Sequence, residues 1–191
     1  MTKFIMQVSL FPLTMIRAKT NLLITGLPGV GKTTLIRRLA EKLGLEKVAG
    51  FYTEEIRERG GRKGFALTGF DGSRGRLSHV DIDSPVRVGK YGVDLAGFEN
   101  FLDKIDLADP EAQYIIIDEI GKMECYSRKF TELVTSILDS EKLLIATIAR
   151  QGGGFMARVK NRSDISIIEI TTGNREHILN DILKAVYSQV T

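Results

Sequence analysis

After an apolar opening at residues 4–16, two patterns alternate along the chain from Asn21 onward. Short runs in which nearly every residue is apolar predict strands buried on both faces: Leu22-Leu23-Ile24-Thr25, then 48–53, 114–118, 143–148 and 165–170. Between them, apolar residues recur at helical spacing. Leu35, Ile36, Leu39, Ala40 and Leu43 make one face of a helix over 32–43, with Arg37, Arg38, Glu41 and Lys42 opposite and Gly44 as its stop. Phe98, Phe101, Leu102 and Ile105 predict a helix over 98–105, and Phe130, Leu133, Val134, Ile137 and Leu138 give the next one its face. Ile178, Leu179, Ile182, Leu183 and Val186 predict a last helix over 174–188. A polar, glycine-rich stretch at 57–64 and an Asp71-Gly72 turn separate further strand runs at 65–70 and 77–82, which read as a hairpin or meander laid over or beside the main sheet. Helices alternating with buried strands define an α/β fold with a mainly parallel sheet.

The chain has 191 residues, 43% hydrophobic and 27% charged, a composition that excludes collagen-like, disordered and polytopic membrane proteins. Its single cysteine, Cys125, excludes an internal disulfide framework and a multi-cysteine zinc site. The formal charge of +3 lies in residues 1–20, which hold Lys3, Arg17 and Lys19 and no acid, so the rest of the chain is neutral and charge gives no support to a nucleic-acid partner. The apolar run at 4–16 is interrupted by Pro12 and falls short of the roughly 20 residues that span a bilayer. The expectation is a cytoplasmic protein with no membrane partner: a loosely ordered extension over 1–20, with Met15 as the working start, and one domain over 21–191.

The first buried strand runs straight into Gly26-Leu27-Pro28-Gly29-Val30-Gly31-Lys32-Thr33, which satisfies G-x-x-x-x-G-K-[ST] between a strand and an amphipathic helix. In that setting the glycines let successive N–H groups point inward at a phosphate chain, and the helix N-terminus adds its own donors. Lys32 would reach the β- and γ-phosphates, and the Thr33 hydroxyl would ligate Mg²⁺. A second apolar strand delivers Asp118 at its carboxyl end, the Walker B position, where it would hold the metal; Glu119 follows, placed to polarise a water for attack on the γ-phosphate. An acid beside the metal aspartate favours hydrolysis over transfer to an acceptor hydroxyl. It also favours the division of P-loop folds that inserts a strand between the two Walker strands.

These residues resemble a specific family, the small P-loop nucleoside-triphosphatases first grouped from thermophiles, which include the cancer-related nucleoside-triphosphatase of vertebrates. Beyond the generic Walker elements, the resemblance rests on Gly50-Phe51-Tyr52-Thr53 with Glu55 and Arg57, Arg62 with Gly64-Phe65, and Val88-Gly89-Lys90-Tyr91. Asp118-Glu119-Ile120-Gly121-Lys122-Met123-Glu124 and Asn174-Arg175 complete it. It implies a three-layer P-loop domain with a RecA-like sheet and Mg²⁺-dependent hydrolysis of ATP, GTP, CTP and UTP with little base selectivity. It also implies a nucleotide site made of residues 26–33 together with Ile117, Asp118, Glu119, Ile120, Gly121, Lys122 and Met123. The chain departs from the family pattern at Cys125-Tyr126 and at Ala149-Arg150.

A developing charge on the γ-phosphoryl group calls for a further cation, and the candidates are Lys122, Arg150 and Arg158 around Gly152-Gly153-Gly154, Arg162 and Arg175. Any one of them reads more readily as a surface charge, and the expectation is that Lys122 or one of the two arginines around the triple glycine acts in cis. Arg57, Arg59, Arg62, Lys63, Arg74 and Arg76 form a basic ribbon whose simplest reading is a solvated hairpin. His79 and His177 stand apart from any ligand cluster, and Lys122 could lower the pKa of Cys125. Two other functions stay open at this level: a phosphotransferase acting on a small molecule or nucleic acid, and a slow nucleotide-dependent switch read by a partner.

Overall fold

The computed structural model describes residues 20–190. The expected N-terminal extension lies outside these residues, apart from Thr20, whose N–H donates to Gln189 Oε1 at 2.6 Å. Nine strands form one sheet: β1 Asn21–Thr25, β2 Val48–Glu58, β3 Gly61–Gly69, β4 Arg74–His79, β5 Arg87–Val88, β6 Tyr91–Val93, β7 Tyr114–Ile120, β8 Leu143–Ile148 and β9 Ile165–Glu169. Five helices accompany them: α1 Lys32–Leu43, α2 Leu95–Leu102, α3 Arg128–Asp139, α4 Gly154–Lys160 and α5 Ile178–Val190. The strand order is β5-β6-β4-β3-β2-β7-β8-β1-β9. From β2 to β9 every pairing is parallel, and from β2 to β5 every pairing is antiparallel.

The parallel half follows from the continuous apolar runs. All five residues of β1 and all six of β8 are buried, as strands covered on both faces must be. Successive residues serve opposite layers: Leu22 and Ile24 pack with Leu35, Ile36, Leu39 of α1 and Ile178, Ile182 of α5, whereas Leu23 packs into the cluster holding Phe98, Phe101, Phe130, Val134 and Met156. Helices α1 and α5 therefore cover one face and α2, α3 and α4 the other, which is the three-layer arrangement expected. Strand β8 lies between β1 and β7, so the two Walker strands are separated by one strand, as the acidic pair suggests.

Of the two placements expected for the hairpin, the structure takes the one beside the main sheet: β2 runs to Glu58, and its start pairs with β7 at residues 48–51 and its remainder with β3. Two helix boundaries need correcting. The second helix begins earlier, at Leu95, where the Asp94 carboxylate accepts the Gly97 N–H at 2.8 Å and caps it. The last helix begins only at Ile178, since Asn174 is engaged in a turn in which it accepts the Thr171 N–H and donates to the Glu169 carbonyl. Helix α4 and the short strands β5 and β6 have no counterpart in the sequence reading; three consecutive glycines mask the start of α4.

Phe51 is the pivot of the molecule. Its ring meets Phe98, Phe101 and Phe130 edge-on at 6.1, 5.6 and 6.4 Å, fixing β2 to the second helical layer. The preceding Gly50 lets β2 approach β7 closely: a Cβ there would stand 1.9 Å from the Ile116 carbonyl oxygen. Strand β2 is thereby seated against β7 where that strand delivers its carboxylates.

Candidate active site

Residues 26–31 link β1 to α1. Gly29 and Gly31 have φ of 75° and 106°, and no heavy atom lies within 4 Å of where a Cβ would be. The glycines answer to backbone conformation rather than crowding, and the loop wraps around open space. The first-turn N–H groups of α1 face this loop without intrahelical partners, as at any helix start, which makes an anion cradle. Lys32 Nζ lies 3.2 and 3.4 Å from the carbonyls of Gly26 and Leu27 and so hangs over the same loop.

Across the loop stands Asp118, 1% exposed. Thr33 Oγ1 donates to its Oδ2 at 2.6 Å, Thr147 Oγ1 from β8 donates to its Oδ1, and the Thr53 N–H from β2 donates to the same carboxylate. Burial nevertheless pushes the Asp118 carboxyl above the usual carboxylate range, against these hydrogen bonds and the charge of Lys32. The side chain owes its position to a bulge. Ile117 pairs with Ala146 and the next pairing is Ile120 with Ile148, so Asp118 and Glu119 together oppose the single residue Thr147. A buried acid that is costly to ionise, ringed by hydroxyl oxygens beside the cradle, is a donor set suited to a hard divalent cation.

Glu119 is half-buried, and its carboxyl is also raised by burial; Lys32 and Lys160 oppose the shift while Asp118 adds to it. Lys160 is the last residue of α4, and its Nζ bonds the carbonyls of Ala149 at 2.5 Å and Arg150 at 3.0 Å, just past β8. Its own pKa is lowered by burial, with the charge of Glu119 opposing. Behind Glu119 lies a second buried acid. A Cβ on Gly121 would stand 2.8 Å from Glu124 Oε2 and 3.1 Å from Glu119 Oε1, so the two carboxyl groups converge over a residue that has no side chain. Burial lifts the Glu124 carboxyl to about 8, with Glu119 and Asp118 adding to the shift.

The other residues singled out by sequence fall into distinct places. Ile117 and Ile120 are fully buried and their side chains belong to the core, so only their backbone borders the cradle. Gly121 is buried, Met123 packs against the core, and Lys122 is exposed. The Cys125 thiol is raised to about 12 by burial, contrary to the expectation that Lys122 lowers it; the cation acting on it is Arg158. Arg150 lies 3.5 Å from Glu169, Arg158 stacks over Phe155 at 5.6 Å, and Arg175 lies 3.3 Å from Glu176. Arg162 bridges Asp139 and Asp164 at the opposite edge of the sheet, ahead of β9.

Half of the basic ribbon is paired within the hairpin: Arg57 and Arg62 with Glu55, and Arg74 with Glu54, which Arg37 of α1 also approaches. Arg62 also donates to the Tyr91 hydroxyl at 3.0 Å and stacks on Phe65, which accounts for much of the distal family pattern as a packing network. His79 is buried and accepts the Asp81 N–H, and His177 is exposed. No group of three or more metal-ligating side chains of the His, Cys, Asp and Glu types occurs among the described residues.

Sequence reasoning missed Thr147, the Thr53 N–H, Lys160 and Glu124 as parts of this edge. Thr147 had a signal, since it is a polar residue inside a wholly apolar strand. Lys160 had none, because the helix carrying it was hidden.

A parallel sheet with one strand between β1 and β7, a phosphate cradle at the end of β1 and a buried carboxylate at the end of β7 define a P-loop nucleoside-triphosphatase fold and site. The family model NTPase_1, described as NTPase, matches residues 21–183. The chain is 49% identical over 167 residues to nucleoside-triphosphatase THEP1 of Thermotoga sp. (strain RQ2), covering 87% of this chain and 95% of that protein. It is 40% identical over 184 residues to the cancer-related nucleoside-triphosphatase of Homo sapiens, covering 88% and 97%. The crystal structure of THEP1 from Aquifex aeolicus superposes with a TM-score of 0.77 at 38% identity, over 86% of this chain and 98% of that one. The chain belongs to the THEP1 family of nucleoside-triphosphatases.

Proposed function

We propose that the protein hydrolyses nucleoside triphosphates to diphosphate and phosphate, with Mg²⁺ and with little preference among ATP, GTP, CTP and UTP. The observation that carries this reading is the meeting of Thr33 and Asp118 at 2.6 Å with Glu119 one residue further along the same edge. Residues 26–31, Lys32 and the first turn of α1 bind the phosphate chain. Thr33 and Asp118 hold Mg²⁺, which when bound neutralises charge on the β- and γ-phosphate oxygens. Glu119 orients a water whose oxygen bonds to the γ-phosphorus as the bond from phosphorus to the β–γ bridging oxygen breaks. The electron pair stays on the diphosphate, and the proton of the water passes to Glu119. Every group assembled here addresses phosphate, metal or water, and this supports the lack of base selectivity.

The test is phosphate release from the four triphosphates, with and without Mg²⁺ and with no acceptor added. Comparable release from all four that requires Mg²⁺ is the expected result. Binding of nucleotide with almost no release would turn the reading to phosphate transfer or to a slow switch.

A further inference from the structure

Two lysines carried by helices on opposite faces of the sheet act on Glu119, and only one of them belongs to the phosphate loop; the turn that holds Lys160 is joined to the residue after Glu119, where the Ala149 N–H donates to the Ile120 carbonyl at 3.3 Å. Lys32 comes from α1, in the layer it shares with α5, and Lys160 comes from α4, in the opposite layer. The two ammonium groups are held alike: Lys32 on the carbonyls of Gly26 and Leu27, Lys160 on those of Ala149 and Arg150. Bonds from an ammonium to neutral carbonyl oxygens are weaker than bonds to charged phosphoryl oxygens, so both groups are poised for exchange when a phosphate chain enters. The rival cations are committed elsewhere or turned to solvent. Arg150 faces Glu169, Arg158 lies over Phe155, Arg162 sits at the far edge of the sheet, and Lys122 is exposed.

We propose that Lys160 is the second cation of the hydrolysis step, giving its ammonium charge to the γ-phosphoryl oxygens in the transition state from the side opposite Lys32. The assignment rests on the reading of Glu119 as the residue that orients water. As the oxygen of water bonds to phosphorus and the bond to the bridging oxygen breaks, negative charge spreads over the three equatorial oxygens close to an ionised Glu119. Lys160 offsets both charges at once. Its effect belongs to the transition state, so it acts on turnover and not on triphosphate affinity.

The experiment uses Lys160→Met, which removes charge and carbonyl bonds, and Lys160→Gln, which removes the charge but keeps an amide N–H₂ able to bond the Ala149 and Arg150 carbonyls. For each, kcat and KM with Mg-ATP are measured, together with the affinities for a non-hydrolysable ATP analogue and for ADP–aluminium fluoride with Mg²⁺, a mimic of the transition state. Both variants are expected to lose about 100-fold in kcat and a similar factor in ADP–aluminium fluoride affinity, with the ATP-analogue affinity unchanged. Wild-type turnover and wild-type ADP–aluminium fluoride affinity in Lys160→Gln would overturn the proposal and leave Lys160 a tether of the turn after β8. Equal losses for ground-state and transition-state ligands would overturn it as well. If Lys160→Met does not fold, Lys160→Gln alone decides. Glu119→Gln in the same series keeps the two claims apart: if it turns over like wild type, the water-orienting role fails whatever the Lys160 variants do.

Discussion

Thr33 Oγ1 and Asp118 Oδ2 stand 2.6 Å apart although 85 residues of chain separate them. The contact joins the first turn of α1 to the end of β7 across the intervening strand β8, and so ties the phosphate cradle to the acidic edge. Thr147, on that intervening strand, holds the other oxygen of the same carboxylate. Asp118 is thus oriented from both sides before any cation arrives.

Thr147→Val follows from that arrangement. The variant keeps shape and removes the donor to Asp118 Oδ1, so the carboxylate loses part of its orientation while Thr33 remains. The Mg²⁺ concentration giving half-maximal phosphate release is expected to rise about tenfold, the usual effect of removing an outer-shell partner of a metal ligand. A metal titration of turnover checks it, and an unchanged midpoint would remove Thr147 from the site.

Gly50→Ala tests the seating of β2. The Cβ would stand 1.9 Å from the Ile116 carbonyl oxygen at a φ of 130°, so β2 and β7 must separate. A loss of about 3 kcal/mol in stability is expected from the forced shift and the strained backbone. The Thr53 N–H would move off Asp118 with β2. Urea unfolding of the variant beside wild type measures the loss.

Glu124 gives a pH signature. Its carboxyl is raised to about 8 from 4.5, so the folded state binds the proton more tightly than the unfolded one. The stability this confers is fully present below pH 4.5 and is lost as pH rises through about 8. Glu124→Gln, which resembles the protonated acid, removes the dependence. Unfolding free energies at pH 5 and pH 9 are expected to change in favour of the variant by about 4 kcal/mol on going to the higher pH. Parallel curves for the two proteins would contradict the buried acid.

Ser127→Ala serves as a structural contrast. The Ser127 hydroxyl accepts the Phe130 N–H at 3.1 Å, capping α3, and donates to Glu99 Oε1 at 2.7 Å, binding α3 to α2. Its loss is expected to cost about 1–2 kcal/mol, seen as a lower melting temperature, with phosphate release per folded molecule unchanged.

The division between what was legible in the sequence and what was not has a physical basis. The parallel half and the phosphate loop were legible because Leu22-Leu23-Ile24, Ile115-Ile116-Ile117 and the glycine loop act through local pattern, and β8 was predicted to the residue. The strand between β1 and β7 was expected from Glu119 by analogy with one division of P-loop folds, and the fold bears it out. What stayed hidden depends on distance in the chain. The reach of β2 to Glu58 is set by pairing with β3, which polar residues such as Glu54 and Arg57 do not announce. The bulge at Asp118 and Glu119 exists only relative to β8. Lys160 meets Glu119 through a helix whose start lies in a glycine run, and no local spacing connects the two.

The measurement that tests the account most directly is single-turnover phosphate release from Mg-ATP by wild type and Glu119→Gln, with ATP affinity determined on the same samples. The account predicts a rate lower by about 100-fold or more in the variant, with affinity held within about a factor of three, because Glu119 acts on water and not on the bound triphosphate. Release at the wild-type rate by a variant that binds ATP normally would contradict it.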